Sequence, residues 1–205
     1  ELERVVDDFV FMCMLVGNDF LPHVPSLDIA GGSLNKLLLV YQQLLPEFGG
    51  YLTDKARLHP DRLERLLAEL SHDEPRYFAG RAKATQDRAE KPFGDAAKYA
   101  DAYYGVKLGY APKATAEGAE QRQWLAREYV RGLLWCLEYY HHGVGAWDWY
   151  YPALYAPLAT DLVGLRALFD GRPEAAAPRP AALLADAGAD PLAGDEVAFV
   201  AERAR

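Results

Sequence analysis

Apolar residues recur along most of this chain at intervals of three and four, the spacing that gathers them on one face of an α-helix. Leu2, Val5, Val6, Phe9, Val10, Met12, Cys13 and Val16 go further and cover most sides of a first helix, so the pattern predicts that this helix is buried almost all round. Gly17 and Asn18 can take the left-handed geometry that closes it, and Pro22 and Pro25 stiffen the loop beyond. Ser33 is placed as the N-cap of a second helix with Leu34, Leu37, Leu38, Tyr41, Leu44 and Leu45 on its apolar face, and Pro46 as its end. After a Gly49-Gly50 turn, Pro60 fits the first turn of a third helix carrying Leu63, Leu66, Leu67 and Leu70. The clearest amphipathic helix runs over 121–140 through Trp124, Leu125, Val130, Leu133, Leu134, Leu137 and Tyr140. The expected fold class is all-α, an irregular multi-helix domain. From Gly171 onward Pro and Ala dominate, which predicts a tail with one short helix near 180–187.

Composition narrows the class. With 205 residues, 51% hydrophobic and 25% charged, the chain is a core-forming globular one rather than a disordered one. Its formal net charge of −8 argues against a simple cationic sleeve for nucleic acid, but the charge is unevenly spread. Residues 1–54 carry a net −6 and residues 76–131 a net +4, so the overall value hides a positive middle that is either a solvated surface or a binding one. Cys13 and Cys136 both lie in apolar runs, which indicates neither a disulfide framework nor zinc, and makes a reducing compartment the default. The longest uncharged apolar run, 9–16, is far short of the roughly 20 residues that span a bilayer. The chain opens at Glu1 with helix-like sequence already under way, and is expected to be a piece of something longer.

Two segments carry candidate chemistry. Between 139 and 155, seven of seventeen residues are aromatic: Tyr139, Tyr140, Trp147, Trp149, Tyr150, Tyr151 and Tyr155. Gly143, Gly145, Pro152 and Pro157 make the later part irregular. Rings on a constrained loop suit base stacking, at about 1–3 kcal/mol per base whatever its identity; the alternative is a core corner with its OH and NH groups satisfied locally. The other segment is the run from Val16 to His23. An aspartate directly after a glycine-terminated helix, Asp19, has its carboxylate at a fixed position, as a hard divalent cation requires; the alternative is an Asx-type backbone cap. His23 reads as a hydrogen-bonded structural histidine before it reads as a ligand or acid. Asp7 and Asp8 interrupt an apolar helix, and either hold a neighbouring basic element or mark an exposed edge. His141-His142 is too closely spaced for joint zinc ligation, and no phosphate-binding glycine loop or nucleophile elbow is present.

These words, taken in order, resemble a family. Asp7-Asp8-Phe9-Val10-Phe11 running into Val16-Gly17-Asn18-Asp19-Phe20-Leu21-Pro22-His23-Val24-Pro25-Ser26-Leu27-Asp28-Ile29 is similar to the start of the helical domain of the XRN-type 5′→3′ exoribonucleases. Leu45-Pro46-Glu47 with Gly49-Gly50-Tyr51-Leu52-Thr53, Tyr103-Tyr104 with Lys107, Tyr129-Val130-Arg131-Gly132-Leu133-Leu134-Trp135, and Trp147-Asp148-Trp149-Tyr150-Tyr151-Pro152 with Tyr155-Ala156-Pro157 resemble its later blocks. The resemblance divides the chain into a helical domain over 1–173 and an Ala/Pro-rich tail over 174–205. It implies part of a Mg²⁺-dependent enzyme that processively removes nucleotides from single-stranded RNA bearing a 5′ monophosphate. Asp19 would be the one metal ligand and catalytic residue from this chain, the other carboxylates belonging to an N-terminal α/β nuclease domain against which the helical domain packs. Trp147 or Trp149 would stack on the 5′-terminal base. Asp7, Asp8, Asn18 and His23 would support the site rather than act in it.

The sequence departs from the family pattern at Ala30-Gly31-Gly32, in the short segment between Phe78 and Tyr103, and after Pro173. On this reading the chain alone is inactive. A rival expectation is a non-catalytic helical RNA-binding or scaffold module. The His142-Gly143-Val144 lead into the tryptophans leans toward the cytoplasmic rather than the nuclear type of relative.

Overall fold

The computed structural model describes residues 1–86 and 99–169, and these are mostly helical, in agreement with the all-α expectation. In chain order they form α1 (Leu2–Leu15), α2 (Ser33–Phe48), a small antiparallel hairpin of β1 (Thr53–Asp54) and β2 (Arg57–Leu58), α3 (Pro60–Ser71), α4 (Glu74–Gln86), α5 (Tyr99–Leu108), α6 (Ala116–His142) and α7 (Leu165–Phe169). Thr53 pairs with Leu58 and Asp54 with Arg57. Single 3₁₀ turns cover Ile29–Gly31 and Ala159–Asp161. The tail boundary at 173 and the short helix near 180–187 lie outside the described residues.

The 27-residue helix α6, about 40 Å long at 1.5 Å per residue, is the spine. Its Leu125, Tyr129, Leu133, Cys136 and Leu137 share one core with Phe11, Met12, Met14 and Leu15 of α1, Leu37, Tyr41 and Leu44 of α2, and the four leucines of α3. Thr115 caps α6, its Oγ accepting from the Gly118 amide at 3.0 Å. A Cβ on Gly118 would lie 2.2 Å from the Pro112 carbonyl oxygen, so this entry admits only glycine.

Several expectations are corrected. α1 is not buried all round: Leu2 is 78% and Val6 50% exposed, and Val5 and Val10 are exposed beside them. Only Asp8, Phe11, Met12, Met14 and Leu15 are buried, because α2, the hairpin and α6 all lie on one side of the helix. Gly32, at φ +75°, is the N-cap of α2, and Ser33 is its first residue. Pro46 falls inside that helix rather than ending it; a proline two residues from the terminus forfeits a single N–H, and α2 runs on to Gly49 at φ +61°.

Asp8 sits at the centre of this assembly, completely buried. One carboxylate oxygen accepts from the Tyr41 hydroxyl (2.6 Å) and the Leu52 amide (2.7 Å), the other from the Thr53 amide (2.8 Å) and the Thr53 hydroxyl (2.7 Å). Neither alternative for Asp8, a basic partner or an exposed edge, is found: four neutral donors satisfy the buried carboxylate and fasten α1 to α2 and the hairpin. Burial, then the bond to Asp8, pushes the Tyr41 hydroxyl far above its ordinary value, keeping it a donor. Asp7 is half-buried beside it. Glu74, also buried, accepts from the Ala159 (2.7 Å) and Thr160 (3.1 Å) amides and so caps the second 3₁₀ turn.

The positive middle of the chain is partly committed within the fold. Arg122 is buried, paired with Asp101 and with Asp161, its guanidinium 4.2 Å over the Tyr104 ring. Lys113 meets Asp161 at 2.7 Å, and Arg131 meets Glu128 at 2.8 Å.

Candidate active site on the aromatic face of the long helix

The first loop of the site begins where α1 stops. Gly17 takes φ +96°, and a Cβ there would lie 3.2 Å from the His23 amide nitrogen, so glycine is required both by its backbone angle and by the close return of the loop. The Val24 amide then donates to the Leu15 carbonyl at 2.9 Å. Inside the loop Asn18 is a clasp. Its side-chain oxygen accepts from the Phe20 (2.9 Å) and Leu21 (2.8 Å) amides, while its own amide donates to the Leu21 carbonyl at 3.0 Å. The Asx turn expected of Asp19 is therefore made by Asn18. Asp19, held between the clasped ends, is exposed and has no hydrogen bond or ion pair among the described residues.

This loop docks on α6 position by position. The Asn18 amide group approaches Cys136 Sγ at 3.7 Å, the Phe20 ring meets Trp135 and Tyr139 edge-on at 5.0 and 5.2 Å, and the Tyr129 hydroxyl donates to the Pro22 carbonyl at 3.0 Å. Leu21 lies over Gly132, where a Cβ would come 2.5 Å from its Cδ2. Residues 129, 132, 136 and 139 succeed one another at three- and four-residue steps and so share a face. Burial raises the Cys136 thiol to about 11 and pushes the Tyr129 hydroxyl well above its ordinary value, so both stay protonated. Sequence reasoning named neither Tyr129 nor Gly132 for the site. The available signal was a glycine inside an apolar helix, which costs about 1 kcal/mol unless something packs there.

The second loop leaves α6 through Gly143, at φ +82°, and returns across the same face. The Trp135 indole N–H donates to the Ala146 carbonyl at 3.1 Å. Trp149 turns inward and is 6% exposed, its ring 5.6 Å from Trp135 and its edge over Gly132. Trp147 turns outward and is 87% exposed. Tyr151 is buried against Tyr129, its hydroxyl donating to the Tyr155 carbonyl at 3.0 Å. Both readings of the aromatic segment thus describe part of it: Trp149 and Tyr151 make a core corner, Trp147 and Tyr150 face outward.

His23 pairs its Nδ1 with the neighbouring Val24 carbonyl at 2.9 Å, and His142 pairs with Glu138 at 2.8 Å. Among the described residues no three His, Cys, Asp or Glu side chains form a group able to hold a metal ion. Asp19 is a free oxygen donor of the kind a hard cation takes, but as a single ligand.

Comparison with known proteins assigns the chain to a family. The family described as the Xrn1 helical domain matches residues 1–101 and 95–170. The chain is 30% identical over 235 residues to the 5′-3′ exoribonuclease 2 homolog of Drosophila melanogaster, covering 81% of this chain and 25% of that protein. It is 28% identical over 229 residues to human 5′-3′ exoribonuclease 1, covering 82% of this chain and 13% of that protein. With the 5′-3′ exoribonuclease 1 of Schizosaccharomyces pombe it shares 38% identity over 101 residues, 48% of this chain and 8% of that protein. The chain therefore spans a quarter or less of these relatives, and within them it corresponds to one part: it belongs to the Xrn1 helical domain family.

Proposed function

We propose that this chain is the helical part of a 5′→3′ exoribonuclease acting on single-stranded RNA with a 5′ monophosphate, and that it contributes Asp19 as one ligand of a Mg²⁺ site and Trp147 as a stacking platform for a base. The observation that carries this reading is that two outward-facing groups, a carboxylate and an indole, project from separate loops seated on the same stretch of α6. Asp19 is a hard oxygen donor with no hydrogen bond or ion pair among the described residues, and the remaining carboxylates would come from an N-terminal nuclease domain. When bound, Mg²⁺ supplies Lewis-acid stabilisation of the phosphoryl oxygens and an activated water. The exposed apolar stripe Leu2, Val5, Val6 and Val10 supports cover of α1 by that domain.

Of the two tryptophans, exposure favours Trp147 for this role. The ring of Trp149 is already packed against Trp135 and Gly132 and has no face to offer a base. Stacking on Trp147 is worth about 1–3 kcal/mol and is indifferent to base identity, which suits an enzyme that must advance through any sequence.

The test uses full-length protein with RNAs differing only at the 5′ end. Stepwise loss of 5′ nucleotides from monophosphorylated RNA, slow loss from 5′-hydroxyl RNA, and arrest by chelation of Mg²⁺ are expected. Trp147→Ala should raise the RNA KM about tenfold for every 5′ base. RNA binding without degradation by protein with an intact nuclease region would instead identify a non-catalytic RNA-binding module.

A further inference from the structure

The loop that carries Trp147 is packed to the core by Trp149 on its far side, but its near side has few hydrogen bonds. Gly143 and Gly145 both lie in it, and glycines leave a backbone many alternatives. Gly143 closes α6 through its amide. Beyond it, among the described residues, the only hydrogen bond tying 144–150 to the rest of the fold is that from the Trp135 indole N–H to the carbonyl of Ala146, the residue directly before Trp147.

The donor ring is half-buried and held by three ring contacts. Trp135 stacks on Tyr139 at 5.5 Å and 8° between planes, meets Trp149 at 5.6 Å, and has the edge of Phe20 at 5.0 Å. A ring wedged on three sides cannot turn its N–H elsewhere without repacking all of them. The half-buried Trp135 and the buried Trp149 also differ. The Trp149 indole nitrogen is buried with no partner among the described residues, so Trp149 serves as apolar bulk, whereas Trp135 spends its polar atom on the loop.

We propose that Trp135 is a positioning residue for RNA: its indole N–H, through the Ala146 carbonyl, fixes where the Trp147 ring stands. It touches no substrate and acts only through Trp147. This inference rests on the stacking role of Trp147 proposed above. Phenylalanine at 135 keeps most of the wedge and removes only the donor.

The experiment is a double-mutant cycle in the full-length protein, with Trp135→Phe, Trp147→Ala and the pair, read as KM and kcat on 5′-monophosphorylated RNA. Trp135→Phe is expected to raise KM about 5–10-fold while kcat stays within about twofold, because base stacking supports binding rather than the bond-breaking step. In the Trp147→Ala background it should raise KM no further, since the ring it positions is gone. An equal rise in both backgrounds would show a merely structural residue and overturn the proposal. So would an unchanged KM for Trp135→Phe, and if Trp147→Ala retained its effect, the stacking reading would stand without it. Should Trp147→Ala itself leave KM unchanged, the stacking reading fails and the positioning role falls with it.

Discussion

Gly132→Ala is the smallest change that reaches the candidate site through the core. The added methyl would sit 2.5 Å from Leu21 Cδ2 and 3.1 Å from the Trp149 ring, against an ordinary carbon contact of about 3.5–4.0 Å. Leu21 is 2% exposed, so its side chain is packed on all sides and relief is expected to push it, and the loop with it, outward by about 1 Å. That movement does not stop at Leu21. Asn18 and Leu21 hold each other through bonds of 2.8 and 3.0 Å, and Asp19 lies between them, so the carboxylate moves with the turn. Overpacking of this kind costs about 1–3 kcal/mol of stability. A misplacement of about 1 Å in a reacting group costs on the order of 100-fold in rate. The expected outcome for full-length Gly132→Ala is a thermal midpoint lowered by a few degrees, with kcat on 5′-monophosphorylated RNA reduced about 10–100-fold at a temperature where the protein remains folded. A lowered midpoint with kcat within twofold of wild type would show that the strain is absorbed before it reaches Asp19, and would refute the clasp argument.

Two further outcomes follow from the buried carboxyl groups. In Asp8→Asn either orientation of the amide sets its NH₂ against a backbone N–H, of Leu52 or of Thr53; the hydroxyls can rotate but the backbone cannot, so a loss of about 2–3 kcal/mol is expected, with faster hydrogen exchange of those two amides, and a loss under about 0.5 kcal/mol would contradict it. Burial raises the Glu74 carboxyl above the usual range, more than its bonds to the Ala159 and Thr160 amides lower it. The folded state therefore holds this proton more tightly than the unfolded one, so its contribution is fully present below the ordinary carboxylate range and is lost as pH rises through the raised value. Glu74→Gln should remove that part of the pH dependence of the thermal midpoint, and an unchanged profile would count against it.

What was legible in the sequence was whatever has a period. The four leucines of α3 are all buried where a 3.6-residue repeat puts them, and the amphipathic stretch within α6 is continuous helix. Periodicity cannot say what covers an apolar face, so α1 read as buried all round although Leu2, Val5, Val6 and Val10 are open. Strands of two residues are too short to alternate, and the hairpin that meets Asp8 left no pattern. At the site, Asp19 and the pair Trp147 and Trp149 were visible as unusual words. Which indole faces outward was not, because two positions in an irregular loop follow no repeat. The face that gathers both loops was hidden for another reason. Tyr129, Gly132 and Trp135 look like ordinary residues of an amphipathic helix until Pro22, Leu21 and Phe20, more than a hundred residues earlier, are seen resting on them.

The proposed metal role rests on the carboxylate of Asp19. In full-length protein, single-turnover removal of the first nucleotide from 5′-monophosphorylated RNA can be followed across a Mg²⁺ titration for wild type and for Asp19→Asn. Loss of one charged metal ligand should slow the step at least about 100-fold and shift the Mg²⁺ requirement upward, with RNA affinity within about threefold of wild type. A wild-type rate at the wild-type Mg²⁺ requirement would contradict the claim that this domain supplies part of the metal site.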